Sequence, residues 1–179
     1  MPQARLILDE LKRLNVTHVL SVPDNSSKAL LNLLWADQTI EVVLVTREGE
    51  AFAIAAGLWT GGKIPVVLIQ NTGLLETGDA LRGTAIRMRV PLLCLVTYRG
   101  YAKLAASGLK VSPKVLSADL LSQAGLDSAA VLTEPTLKAW GVPFDFLHED
   151  SDVPRISEAF RKAQSLGQPV ALLITRDTT

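Results

Sequence analysis

Cysteine and histidine are almost absent from this chain of 179 residues: one cysteine, Cys94, and two histidines, His18 and His148. A single cysteine excludes an internal disulfide and a cysteine-based zinc site. Two histidines 130 positions apart make a histidine-rich metal centre improbable. Charge of one sign is also missing. Lys+Arg and Asp+Glu both number 18, a formal net charge of zero. A basic surplus for neutralising phosphates is therefore absent, which argues against nucleic acid as the main partner. The longest apolar runs (Val42–Val45, Pro65–Ile69, Val90–Val96) are too short to span a bilayer. The first residues, Met1-Pro2-Gln3-Ala4-Arg5, soon meet Asp9, Glu10, Lys12 and Arg13 with no apolar stretch of a secretory signal, so the expected location is cytoplasmic. Two glycosylation sequons, at Asn15 and Asn25, are then chance matches.

What is present is apolar substance. Hydrophobic residues make up 48% and charged residues 20%, enough for a packed core and too apolar for a disordered chain. The length suits one domain over residues 1–179. Helical and strand patterns alternate almost throughout. Strands are predicted at 17–22, 40–45, 64–70, 91–96, 144–147 and 169–175, with 40–45 of the buried kind. Helices are predicted at 4–14, from Ser26 or Ser27 as cap to about 36, and over 48–60, where Gly61-Gly62 stops the run. Further helices are predicted at 77–88, 118–123, 135–140 and 153–166. Asn71-Thr72-Gly73 reads as a turn.

Val/Ile/Leu-rich strands, each followed by a helix, imply a parallel sheet covered on both faces: an α/β three-layer sandwich with six strands. Right-handed crossovers gather the strand-to-helix loops at the carboxyl edge, where ligands bind in such sheets. The loops to examine are 23–27, 46–48, 70–76 and 97–103.

Several motifs fail on context. Gly57 to Lys63 has P-loop glycine and lysine spacing, but Ile64 follows the lysine and the helix precedes the strand instead of following it. No dinucleotide fingerprint or nucleophile elbow occurs. Cys94, between Leu93 and Leu95, reads as a buried core residue.

The informative stretch is Thr46-Arg47-Glu48-Gly49-Glu50-Ala51-Phe52-Ala53-Ile54-Ala55-Ala56-Gly57. An acid follows a strand and opens an alanine-rich helix, with a glycine nine positions after Glu48. Residues alone leave Glu48 a favourable first-turn acid. With Val22-Pro23-Asp24, Gln70-Asn71-Thr72-Gly73 and Tyr98-Arg99-Gly100 at compatible spacings, the stretch resembles the pyrimidine-binding domain of thiamine-diphosphate enzymes. Within that superfamily it is most similar to decarboxylases of sulfopyruvate and phosphonopyruvate. The resemblance runs through most of residues 5–175 and is weak over 101–130.

The resemblance implies a flavodoxin-like pyrimidine domain in which Glu48 is catalytic. In the family that glutamate hydrogen-bonds N1′ of the cofactor's aminopyrimidine and promotes the imino tautomer that deprotonates the thiazolium. Such a carboxyl is expected to be enclosed by apolar groups, against the pull of the helix N-terminus. Asn71, Thr72 and Gly73 are implied cofactor contacts. Asp24, Arg47 and Arg99 are implied substrate contacts, the arginines for an anionic tail. Arg47 stands where the phosphonopyruvate branch has a neutral residue.

Family members hold the diphosphate through Mg²⁺ with Gly-Asp-Gly and a later asparagine. Here only Thr77-Gly78-Asp79-Ala80 occurs, and the last asparagine is Asn71. The resemblance therefore implies a split enzyme in which a separate β subunit carries that motif and the Mg²⁺ ligands, this chain being a homodimer when alone and part of an α₂β₂ or larger assembly with its partner. Residues 101–130 are the candidate contact. The implied function is decarboxylation of a small anionic 2-oxoacid, with sulfopyruvate favoured over phosphonopyruvate. Two other readings of the residues stand beside it: a non-catalytic flavodoxin-like assembly module, and a nucleotide- or flavin-binding α/β domain.

Overall fold

The computed structural model describes residues 1–109 and 111–179. Its strands are β1 (His18–Ser21), β2 (Glu41–Leu44), β3 (Pro65–Gln70), β4 (Leu93–Thr97), β5 (Phe144–Leu147) and β6 (Val170–Ile174). They form one parallel sheet in the order β2-β1-β3-β4-β6-β5. Each strand falls within a residue or two of the segment predicted from sequence.

Apolar residues on both faces of the central strands explain the layers. Val66, Leu68, Leu93, Leu95 and Leu172 join one buried cluster, and the alternating Val67, Ile69, Cys94, Val96, Ala171 and Leu173 join the other. Helices α1 (Ala4–Arg13), α2 (Lys28–Ala36) and α9 (Arg155–Leu166) cover the first face; α3 (Glu48–Thr60), α4 (Asn71–Glu76), α6 (Tyr101–Ala106) and α8 (Ser128–Ala139) cover the second. Short α5 (Gly78–Ala80) and α7 (Ala118–Leu121) complete the set. In α1, Ala4, Ile7, Leu8 and Leu11 make the buried stripe at helical spacing. Cys94 lies wholly inside, and burial holds its thiol well above the ordinary cysteine range.

Four local expectations are corrected. First, β2 is an edge strand with Glu41 and Leu44 exposed, because the chain reverses direction across the sheet after it. Second, Asn71-Thr72-Gly73 begins α4 instead of forming a turn. The Asn71 side chain finds partners across the fold, so it does not stabilise a local turn. Third, α4 and α5 run into a π-helical turn, Leu81–Ile86, so the 77–88 helix is not regular. Fourth, α8 starts at Ser128, seven residues before Pro135. Proline lacks the N–H of a helix interior and reads as a start. Here Asp127 caps the helix by accepting from the Ala129 N–H at 3.0 Å, and Ala130, Val131, Thr133 and Leu137 bury its inner face.

The sequence marks 101–130 as the segment to meet a partner. Much of its apolar content packs on the chain's own second core, through Leu104, Leu109, Val111, Leu116, Leu120 and Leu126.

The loop after β4 is pinned to α8. Gly100 has φ +82°, and a Cβ there would lie 2.6 Å from Asp127 Cβ and 3.0 Å from Ala130 Cβ. Gly100→Ala is therefore expected to cost about 2–4 kcal/mol by combined strain and overpacking. At about 2–4 °C per kcal/mol for this size, the melting temperature should fall by roughly 5 °C or more. Thermal unfolding followed by circular dichroism checks this, and an unchanged midpoint would show that the loop can move away from α8.

Candidate functional site

Strand β1 leads to α2 on one face of the sheet, and β3 leads to α4 on the other. Their carboxyl ends therefore diverge. The crevice so opened is where open parallel sheets bind ligands. A cleft of about 380 Å³ lies there, lined by Val22, Pro23, Asp24, Glu48, Gln70, Thr72, Gly73 and Glu76. Three of the four loops marked out by the sequence meet in it.

Three carboxylates gather at the start of α3, and two are occupied. Glu50 accepts from the Thr46 N–H at 3.0 Å, the Thr46 hydroxyl at 3.0 Å and the Arg47 N–H at 3.3 Å. That is the backward-reaching half of a capping box. These bonds, the Thr46 amide foremost, lower the Glu50 pKa. Glu76 reaches over from α4. One oxygen accepts from Arg47 Nε at 3.0 Å and also from a terminal nitrogen of the same guanidinium. The other accepts from the Gly49 N–H at 3.0 Å. The third carboxylate, Glu48, receives no hydrogen bond from any of the described residues.

Gly73 provides the seat for Glu48. A Cβ at Gly73 would lie 2.0 Å from Glu48 Oε1, 2.2 Å from Cδ and 2.4 Å from Cγ. Any side chain larger than hydrogen at this position would displace the Glu48 side chain from its seat. Glu48 is half-buried and the cleft is open to solvent at the sheet edge. The full apolar enclosure expected from sequence is thus not supplied within this chain.

The other expected residues separate into lining and supporting groups. Thr72 lines the cleft and donates to the Gln70 side-chain oxygen at 3.1 Å. Asp24 lines it too, but four donors hold its carboxylate: the Ser26 N–H at 2.7 Å, the Ser27 N–H at 3.3 Å, the Ser27 hydroxyl at 2.8 Å and the Thr97 hydroxyl at 3.1 Å. Ser27 stands at the N-cap position of α2, as expected, but its side chain caps no helix N–H and donates to Asp24 instead. Asn71 does not line the cleft. It is fully buried, donates to the Arg99 carbonyl at 3.2 Å and the Thr133 hydroxyl at 3.0 Å, and accepts from the Arg99 N–H at 3.1 Å. It ties the loop after β4 to the start of α4. Arg47 sits beside the cleft, paired with Glu76. Arg99 lies in a different cleft, its Nε 3.0 Å from an Asp127 oxygen.

Glu76 and Gln70 line the cleft without having been given a role from sequence, although both lie in the 70–76 loop and Gln70 opens a marked word. Nothing local links Glu76 to Arg47 across 29 positions.

The Glu48–Gly73 contact gives a stability test independent of any activity. Alanine for glycine inside a helix ordinarily stabilises by about 0.5–1 kcal/mol. Gly73→Ala should show that gain only in a Glu48→Ala background and lose stability in the unchanged chain. A coupling of about 1 kcal/mol or more is expected from a double-mutant cycle by urea unfolding; additive effects would place the Glu48 side chain elsewhere.

Known proteins share this domain. Residues 1–117 match the family model described as thiamine pyrophosphate enzyme, N-terminal TPP binding domain. The chain is 35% identical over 97 residues to the sulfopyruvate decarboxylase subunit alpha of Methanocaldococcus jannaschii, covering 54% of this chain and 57% of that one. It is 36% identical over 100 residues to a phosphonopyruvate decarboxylase of Streptomyces hygroscopicus, covering 56% of this chain and 25% of the relative. The chain thus spans about half the length of the first and a quarter of the second. Among solved structures, benzoylformate decarboxylase from Polynucleobacter necessarius superposes with a TM-score of 0.67 at 23% identity, over 98% of this chain and 30% of that one. That likeness concerns the fold. With the match over residues 1–117, the chain belongs to the thiamine pyrophosphate enzyme family through its N-terminal TPP binding domain.

Proposed function

We propose that this chain is the pyrimidine-binding subunit of a thiamine-diphosphate-dependent decarboxylase of a small anionic 2-oxoacid, sulfopyruvate first and phosphonopyruvate as the alternative. The observation that carries the reading is the Glu48 carboxylate, unpaired among the described residues and seated on Gly73 in the crevice between β1 and β3. The subunit naming of the archaeal relative supports a split arrangement for this chain as well.

The residues present fit the aminopyrimidine end of thiamine diphosphate. A flat heteroaromatic ring needs an acid free to meet a ring nitrogen, and Glu48 is that acid. Gln70 and Thr72 add polar atoms on the β3 side of the cleft. When bound, the cofactor supplies the electron sink that takes up the charge left by departing CO₂. Glu48 holds and passes the proton at the ring nitrogen N1′. Glu76 and Glu50 hold the start of α3, so Glu48 keeps its position while the proton moves. Asp24, fixed by four donors, sets the wall of the cleft facing α4. Arg47 is paired with Glu76 beside this cleft, so contact with a substrate anion requires it to share or exchange that partner, and Arg99 lines a different cleft.

The diphosphate and its Mg²⁺ are assigned to a second chain carrying Gly-Asp-Gly and a later asparagine. Glu48 is half-buried in a cleft open at the sheet edge, so a partner closing over that cleft would exclude water from it and strengthen its hydrogen bond to the ring.

The test is co-expression with a chain bearing that motif, followed by CO₂ release from sulfopyruvate and from phosphonopyruvate. Loss of one positioned proton-transfer group costs about 10²–10⁴-fold. Glu48→Gln should lower kcat by at least about 100-fold with an unchanged melting temperature. Turnover undiminished in that variant would remove Glu48 from the chemistry, and no release from either acid would overturn the substrate class.

A further inference from the structure

The carboxyl edge has a second crevice. Strand β4 leads into α6 on the second face, whereas the chain leaving β6 crosses to the first face, where the Thr178 N–H donates to the Ser26 carbonyl at 2.9 Å. A cleft of about 790 Å³ lies between these diverging ends, twice the size of the one at Glu48. The side chains of Asp24 and Thr97, joined at 3.1 Å, stand at the strand ends between the two. Asp24 lines the smaller cleft, and Ser26, two residues on, lines the larger.

We propose that this second cleft is a binding site for a small dianion, distinct from the site at Glu48. Three cations line it: Arg99 after β4, Lys103 on α6 and Arg176 after β6. Two acids, Asp127 and Asp177, line it too. Asp127 is already engaged. One oxygen accepts from the Ala129 N–H at 3.0 Å and the other meets Arg99 Nε at 3.0 Å. That contact uses one of the five guanidinium donors of Arg99. Lys103 and Arg176 form no ion pair with any of the described residues. Among the described residues the lining thus has two unpaired cations against one unpaired acid, Asp177, and the spare donors of Arg99 add to the cations, a setting suited to a ligand with two negative groups.

The walls are preorganised. Gly100 presses against Asp127 and Ala130, and the Tyr98 hydroxyl donates to the Ala130 carbonyl at 2.9 Å. Asn71 clamps both backbone polar atoms of Arg99. Arg99 therefore sits on backbone that need not reorganise on binding, which removes one of the usual costs of association. The volume lies within the range of small-molecule sites.

Malonate and inorganic phosphate serve as dianion probes, with acetate as the single-charge control, titrated against the full chain by isothermal calorimetry. Saturable malonate or phosphate binding at least 10-fold tighter than acetate is expected. Lys103→Gln combined with Arg176→Gln should weaken it at least 10-fold, with the melting temperature unchanged. Arg47→Gln, beside the Glu48 cleft, should leave the dissociation constant within twofold. Absence of saturable binding, equal affinity for acetate, or weakening by Arg47→Gln alone would each overturn the assignment. The readout uses neither cofactor nor partner chain, so it stands or falls apart from the decarboxylase reading.

Discussion

The contact between the Glu48 side chain and the bare backbone of Gly73 is the constraint around which the carboxyl edge is organised. Glu48 opens α3 and Gly73 lies in the first turn of α4, so the contact fixes how closely two helices begin beside one another. Glu76 then reinforces it from the same side, reaching from α4 to Arg47 and to the Gly49 amide. An acid at each of the two occupied positions satisfies a helix-start donor or a guanidinium. The acid left over is the one without such a duty. A site is thereby made by subtraction: neighbouring carboxylates satisfy the local donors, and Glu48 keeps its lone pairs available.

Asn71 complements this arrangement from the interior. Its amide makes three bonds in a fully buried position, joining β3's loop, β4's loop and α8. A buried amide with that many partners is costly to replace, since any truncation leaves polar atoms unsatisfied. The loops around the two clefts are thus tied to the interior by polar clamps while their outer residues remain free to meet ligand. Rigid support beneath open lining is what a binding edge on a parallel sheet requires.

Much of this was legible in the sequence, and the reasons are physical. Continuous Val/Ile/Leu runs place the strands because both faces of a parallel sheet are buried. The acid-then-alanine stretch places Glu48 because a helix start and close packing both leave local marks. What the sequence concealed is long-range pairing. Arg47 reads as a free cation until Glu76 is seen beside it, and Arg99 until Asp127 is. Asn71 reads as a turn former because its real partners lie up to 62 positions away. Pro135 hides the first half of α8, since a cap at Asp127 and the buried inner face outweigh the lost hydrogen bond. The π-helical turn has no sequence mark, because one extra residue in a helical run leaves the composition unchanged.

That π-helical turn sets the phase of the helix running from Asn71 to Arg87. An α-helix advances about 100° per residue, and a π turn accommodates one residue more than the α-helical count. The residues ahead of it, Gly73 and Glu76, face the start of α3, while Leu81 and Ala85 within it are buried in the core. Leu74, ahead of the turn, shares that core, so both parts have an inward side to keep. Removing one residue from the turn would let regular α geometry close the run with both parts still facing as they do, whereas removing one from the α-helical part ahead of it would turn one part roughly 100° against the other. The widened turn is therefore slack in the chain: a place where its length can change by one residue while Glu76 stays on Arg47 and Ala85 stays in the interior.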